Sequence, residues 1–202
     1  GWYTPPGVVH APGSYLTYEP QWNSDINSVY ENVTAGEIFP REFLSGACPP
    51  DRQQDVDYII GLMDWEKNVD PHYRAKYFRP PVPCRPSREG YGESWVTYAN
   101  DYVGAKELTV PPGRTVVARD PVAYGCVLVQ GHGKLGVHDA ETAVMLRFAG
   151  MSGDEFFVGE GAARAGVRIE NRSRFEPLVL LKHFGPNHPD MPRTVPCGAG
   201  SA

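Results

Sequence analysis

From Trp95 to Phe184 the sequence is a succession of short apolar runs, each stopped by glycine, proline or a small polar cluster. The runs cover residues 95–98, 105–110, 115–118, 123–130, 135–137, 143–148, 155–158, 166–170 and 178–184. Between them stand Pro111-Pro112-Gly113, Gly131-His132-Gly133, Gly150, Gly159-Glu160-Gly161 and Asn171-Arg172-Ser173. Glycine reaches turn conformations that other residues avoid, and proline gives no N–H to a ladder, so these are places where strands end. Many short strands at regular spacing leave two architectures, a β-sandwich or a small barrel. The 22 glycines and 20 prolines in 202 residues favour the same all-β class.

One stretch breaks the pattern. Residues 51–66 read as a helix, with Asp51 as its cap and Val56, Ile59, Ile60 and Met63 at helical spacing on one face. Asn68 and Asp70-Pro71 end it, and Trp65, Tyr73, Tyr77 and Phe78 supply bulk for packing it onto a sheet. Residues 79–93, RPPVPCRPSREGYGE, read as a linker. The expected organisation is therefore 1–50, a helix and linker over 51–93, a strand-rich domain over 94–186, and a surface tail over 187–202.

Charge and composition exclude several classes. The formal charge of -5 and the absence of a Lys/Arg cluster leave no nucleic-acid footprint. No apolar run reaches the length of a bilayer span, and no signal peptide opens the sequence. The four cysteines, Cys48, Cys84, Cys126 and Cys197, form no Cys-x-x-Cys pair, so a zinc ribbon fails. Cys126, inside an apolar run, reads as a buried thiol, and free thiols in a reducing cytoplasm are the expectation. Asn32-Val33-Thr34 and Asn171-Arg172-Ser173 fit a glycosylation triplet that arises often by chance. There is no P-loop, nucleophile elbow or dinucleotide glycine motif.

The chemistry is concentrated in the opening. Pro5-x-Gly7-x-x-His10 is followed by the alternating run Tyr15-Leu16-Thr17-Tyr18-Glu19, then Gln21, Ser24-Asp25 and Asn27. A Pro-x-Gly turn feeding a histidine into a strand fixes one imidazole on a sheet face, an arrangement suited to a divalent metal. The competing reading is a surface histidine.

These residues resemble the second half of the cupin metal motif, in which a Pro-x-Gly-x-x-His segment supplies the last ligand. His10-Ala11, Glu19 and Ser24-Asp25 also resemble the phosphomannose-isomerase branch of that superfamily, with Asn27 one place late. The resemblance implies a cupin-type β-barrel or jelly roll holding zinc, iron or manganese. It implies His10 as metal ligand, Glu19 and Asp25 as proton-transfer groups, and Gln21 and Asn27 as binders of substrate hydroxyls. The branch's arginine position is Val29 here, which favours an unphosphorylated sugar or polyol over a phosphosugar.

The strand-rich half resembles a cupin as well, through Gly113, the Gly131-His132-Gly133 hairpin, Gly153 and Gly161. Its ligands are missing. The first motif's His-x-His and Glu fall among Ala118, Arg119, Asp120, Pro121, Tyr124 and Gly125. In the second motif, proline, histidine and asparagine become Gly159, Arg164 and Arg168. The resemblance thus implies a bicupin whose second barrel is degenerate and whose first begins within its second motif. Either the sequence is a fragment of a longer protein or a separate polypeptide supplies the missing strands; because a half-barrel leaves open sheet edges, the expected partner is a second chain or a swapped copy that completes it. Three functions are then open: a metal-dependent aldose–ketose isomerase, an iron-dependent dioxygenase, or a non-catalytic sugar-binding or structural bicupin.

Overall fold

The computed structural model describes residues 1–9, 45–46, 48–84, 90–142 and 152–196, together with the backbone at 33–34 and 37–38. His10, Glu19, Gln21, Asp25 and Asn27 lie outside the described residues. The chain separates into two compact units, Tyr3–Tyr77 on one side and Gly1–Trp2 with Phe78–Ala202 on the other.

The described residues of the Tyr3–Tyr77 unit include a two-residue hairpin, β1 (Val33–Thr34) with β2 (Glu37–Ile38), and three short helices. These are α1 (Val56–Gly61), α2 (Trp65–Asn68) and α3 (Tyr73–Tyr77). The single helix expected over 51–66 is thus two. Asp55, not Asp51, caps α1 by accepting from the Tyr58 N–H, and Asp64 caps α2 by accepting from the Lys67 N–H. The Asp64 N–H is turned out of α1 altogether and donates to the Gly7 carbonyl. No residue of the three helices is buried, and Val56, Ile60 and Trp65 are exposed. The apolar stripe is thus exposed at Val56, Ile60 and Trp65 and half-buried at Ile59 and Met63.

The Pro5-x-Gly7 turn is formed as expected. Val8 N–H donates to the Pro5 carbonyl, and Gly7 sits at φ 79°. A side chain at Gly7 would also lie 2.8 Å from the Asp64 nitrogen. Asn68 fixes the turn by accepting from the Val9 N–H and donating to the Gly7 carbonyl.

Among its described residues, the regular structure of the second unit is all strand apart from one helical turn and a half. Its strands are β3 (Val82–Pro83), β4 (Gly92–Thr97), β5 (Gly104–Val110), β6 (Thr115–Ala118), β7 (Tyr124–Gln130), β8 (His132–Leu135) and β9 (His138–Glu141). After them come β10 (Glu155–Val158), α4 (Glu160–Ala165), β11 (Val167–Asn171) and β12 (Leu178–Phe184). One sheet runs β10-β7-β12-β5-β4-β3 and the other β6-β11-β8-β9, every pair antiparallel. Strands β5 to β12 pair as nested partners: β5 with β12, β6 with β11, β7 with β10, β8 with β9. That is one long hairpin rolled into two sheets, the jelly roll, the double-sheet architecture of cupins. The all-β jelly roll expected from sequence is what this unit adopts.

The core lies between the two sheets. Strand β12 alternates without a break, with Leu178, Leu180, Lys182 and Phe184 buried and Val179, Leu181 and His183 half-buried. Tyr124, Cys126 and Leu128 of β7 and Leu108 and Val110 of β5 join the inward set, facing Val116, Ala118, Leu135 and Ile169. One sequence expectation fails here. The run at 135–137 is not a strand of its own: Leu135 ends β8 and Gly136 turns the chain at φ 62°. The preceding Gly-His-Gly run, read as a turn, instead contributes His132 and Gly133 to β8. Gly133 lies so close to β11 that a side chain would meet the Glu170 carbonyl oxygen at 1.8 Å. The tail expected on the surface also departs from expectation: His188 and Met191 are buried.

Candidate functional site

Two of the inward positions in the jelly roll carry lysine. Lys106 follows the buried parity of Leu108 and Val110 on β5, and Lys182 that of Leu178 and Leu180 on β12. These strands are neighbours, and Lys182 lies opposite Lys106 in their register. Two adjacent ammonium groups inside a barrel need anions, and the fold supplies two. Asp120 comes from the turn after β6 and Glu93 from β4.

The four charges form a closed set. Lys106 Nζ donates to Asp120 Oδ1 at 2.5 Å, and Lys182 Nζ donates to Asp120 Oδ2. Lys182 also donates to Glu93 Oε1 at 2.5 Å, and Lys106 stands 3.7 Å from Glu93 Oε2. The side chains of Lys182 and Asp120 are each 1% exposed, Lys106 5% and Glu93 10%. At that burial an unpaired charge costs several kcal/mol, roughly, so the matching of two cations by two anions is a condition of folding.

His188 completes the cluster. Its Nδ1 accepts from the Asp190 N–H at 3.1 Å, which leaves Nε2 to carry the proton it directs at Asp120 Oδ1, 3.2 Å away. The ring is therefore the neutral Nε2–H tautomer, and the cluster as a whole carries no net charge. Aromatic rings wall it in. Lys106 Nζ lies 4.8 Å from the Trp95 ring centre and 5.2 Å from that of Phe184, and Lys182 Nζ lies 5.0 Å from that of Tyr124.

This environment sets the protonation states. Burial alone would raise the Asp120 carboxyl, but the His188 hydrogen bond and the two lysine charges outweigh it and hold it far below 3.8. Burial opposes the Lys182 charge, yet Glu93 and Asp120 overcome it and hold the ammonium above 10.5. Burial also pushes the Cys84 thiol up to about 11 and Cys126 up to about 12. A lysine kept protonated is no nucleophile, a carboxylate saturated by three donors is no base, and such thiols stay thiols at neutral pH.

The cluster makes stability depend on pH. The folded Asp120 pKa lies below its unfolded value, so its stabilisation is complete above the unfolded value and lost as pH falls towards the folded one. Thermal melts are expected to hold a constant contribution from Asp120 above about pH 5 and to lose it progressively below about pH 4. In Asp120→Asn that acid-side loss should be smaller than in the wild type. An equal loss in both would contradict the assignment.

The resemblance implies a divalent metal inside such a barrel, and the residues present do not fit one here. Asp120 already bridges two ammonium groups, both nitrogens of His188 are committed, and the nearest cations would repel an added ion. Among the described residues no group of three or more His, Cys, Asp or Glu side chains is arranged to hold a metal. The other family ligand positions are likewise taken. Ala118 and Tyr124 are core, Arg164 is exposed and paired with Glu160, and Arg168 pairs with Glu170. Arg119, Asp120, Pro121 and Arg164 line no more than a shallow, open depression.

The sequence singles out Asp120 but not its partners. Lys106 is recognisable there only as a charge at the apolar parity of its strand, and Lys182 not even by that, because both faces of β12 are apolar. His183 lies on the opposite face of β12, where its ring covers Gly125, and it is His188 that enters the core.

No family model and no curated protein matches the chain. In fold it is similar to solved structures of cupins. One is a cupin-2 domain from Rhodospirillum rubrum, at 15% identity over 60% of this chain and 77% of that one, TM-score 0.37. Another is a cupin 2 conserved barrel domain protein from Rhodopseudomonas palustris, at 15% identity over 63% and 84%, TM-score 0.37. A chain of the Rhodobacter sphaeroides SigE complex with the anti-sigma ChrR matches at 13% identity, TM-score 0.35, over 49% of this chain and 46% of that one. The present chain thus spans under half the length of this last relative.

Proposed function

We propose that the jelly roll is a non-catalytic scaffold. On this reading, divalent-metal chemistry on a sugar-like or polyol substrate belongs to the opening segment, with His10 as a metal ligand. The observation that carries the first part is the saturated Lys106–Asp120–Lys182–Glu93 cluster, which among the described residues leaves no free carboxylate or ammonium for catalysis and no metal-binding group. The second part is supported by the Pro5-x-Gly7 turn, which is formed and anchored by Asn68 immediately before His10. Glu19 and Asp25 then move the proton between adjacent carbons, and Gln21 and Asn27 hold substrate hydroxyls. A second polypeptide or a swapped copy of the chain supplies the remaining ligands.

Elemental analysis tests this division. The native protein with its neighbouring polypeptide is expected to hold about one divalent ion per chain. His10→Ala should empty the site and leave the melting of the β-sheet signal unchanged. Metal retained in full by His10→Ala would remove His10 from the ligand set. Metal lost on Asp120→Asn but kept on His10→Ala would move the site into the jelly roll and end the scaffold reading.

A further inference from the structure

The strands end at Phe184, but the segment after them closes the core. Residues 185–192 turn back across the end of the jelly roll and bury two side chains in it, His188 and Met191. His188 is 1% exposed, and its ring meets Trp95 edge-on at 4.8 Å and Phe184 at 4.6 Å. Its Nε2 faces Asp120. Every wall of this socket belongs to another element: Trp95 to β4, Phe184 to β12, Asp120 to the turn after β6.

By contrast, the strap that delivers the ring is held by few backbone bonds. Asp190 N–H donates to His188 Nδ1, Met191 N–H to the His188 carbonyl, and Ala99 N–H to the Pro192 carbonyl. Only the last of these ties the strap to the rest of the barrel. Met191, 3% exposed, adds an apolar foot over Gly104, where a side chain would come within 2.8 Å of its Sδ.

We propose that His188 is an internal ligand. The strap seats it in a socket that the barrel builds independently, and when the strap lifts, that socket takes a small, neutral, planar heterocycle with a ring N–H. Ring shape is read by Trp95 and Phe184, and the N–H by Asp120. Asp120 remains neutralised by Lys106 and Lys182, so the socket selects a neutral donor over a cation. This inference does not depend on the metal reading of His10.

The test is cavity complementation in the full-length chain. His188→Gly should melt lower than the wild type, and millimolar imidazole should raise its midpoint by about 2–4 °C. Thiazole, a ring of similar size without an N–H, should not, and neither ring should stabilise the wild type to that extent. Equal effects of imidazole on variant and wild type, or of thiazole and imidazole on the variant, would overturn the proposal. Hydrogen exchange on the wild type supplies a second arm that needs no variant to fold. The Ala99, Asp190 and Met191 amides should exchange at least about tenfold faster than those of β12, reporting a strap that lifts from an intact barrel. Exchange of both sets at one rate would make the strap part of the barrel and overturn the proposal.

Discussion

Asp120→Ala is expected to lower the stability of the jelly roll by about 3–5 kcal/mol, the usual effect of stripping one partner from a buried ion cluster. For a chain of this size that is on the order of 10 °C in melting midpoint. The carboxylate touches both ammonium groups and the His188 ring, so its loss leaves two cations, 1% and 5% exposed, with only Glu93 between them. Water cannot reach them without opening the barrel. The contrasting variant is the concerted one. Replacing Lys106, Lys182, Glu93 and Asp120 together by apolar residues of matched volume should be far less damaging than Asp120→Ala alone, since no charge is stranded. Chemical denaturation of the two variants reads the difference directly. A milder effect from the single change than from the fourfold one would mean that these charges are hydrated in the folded protein.

Trp95→Ala is the second large effect, expected at about 3–5 kcal/mol from the lost burial and the cavity left behind. Trp95 is 3% exposed and serves three neighbours at once: the Lys106 ammonium, the Phe184 ring at 5.7 Å and the His188 ring. Its removal loosens the His188 socket as well as the core. The effects of Trp95→Ala and His188→Gly should therefore not add. A double-mutant cycle is expected to show coupling of at least about 0.5 kcal/mol, as for residues in contact. Strict additivity would place the two rings in separate environments.

The strands of the jelly roll are legible in the sequence because their signals are local. Runs at 105–110, 115–118, 155–158 and 178–184 correspond to β5, β6, β10 and β12, where alternation or apolar content matches the pleat. Legibility fails where a local signal has two meanings. Gly131-His132-Gly133 has the composition of a turn, yet Gly133 serves the close approach of β11. The helical spacing of Val56, Ile60 and Met63 is real, but Asp64 is a better N-cap than an interior residue and divides the segment.

The charge cluster is hidden for a different reason. A lysine in a strand ordinarily signals the solvent side, and on β12 both faces are apolar. Parity alone therefore cannot tell Lys182 from His183 as the buried member. The partners that settle it are distant in sequence: 14 residues from Lys106 to Asp120, 62 from Asp120 to Lys182, 89 from Glu93 to Lys182. Only the rolled hairpin brings them together. Asp120 is visible as an isolated acid at a family ligand position; that it serves lysines instead of a metal is a property of the fold.

The scaffold role of the jelly roll requires Lys182 to be a permanently charged part of a neutral, water-excluded cluster. The most direct measurement is an NMR titration of the Lys182 side chain, followed through its Nζ and Cε signals in the full-length protein. The expected result is a slowly exchanging ammonium group that stays protonated beyond pH 10.5, the ordinary lysine value. A Lys182 that titrates below that value, or whose ammonium protons exchange as fast as those of surface lysines, would contradict the buried ion cluster and the scaffold reading built on it.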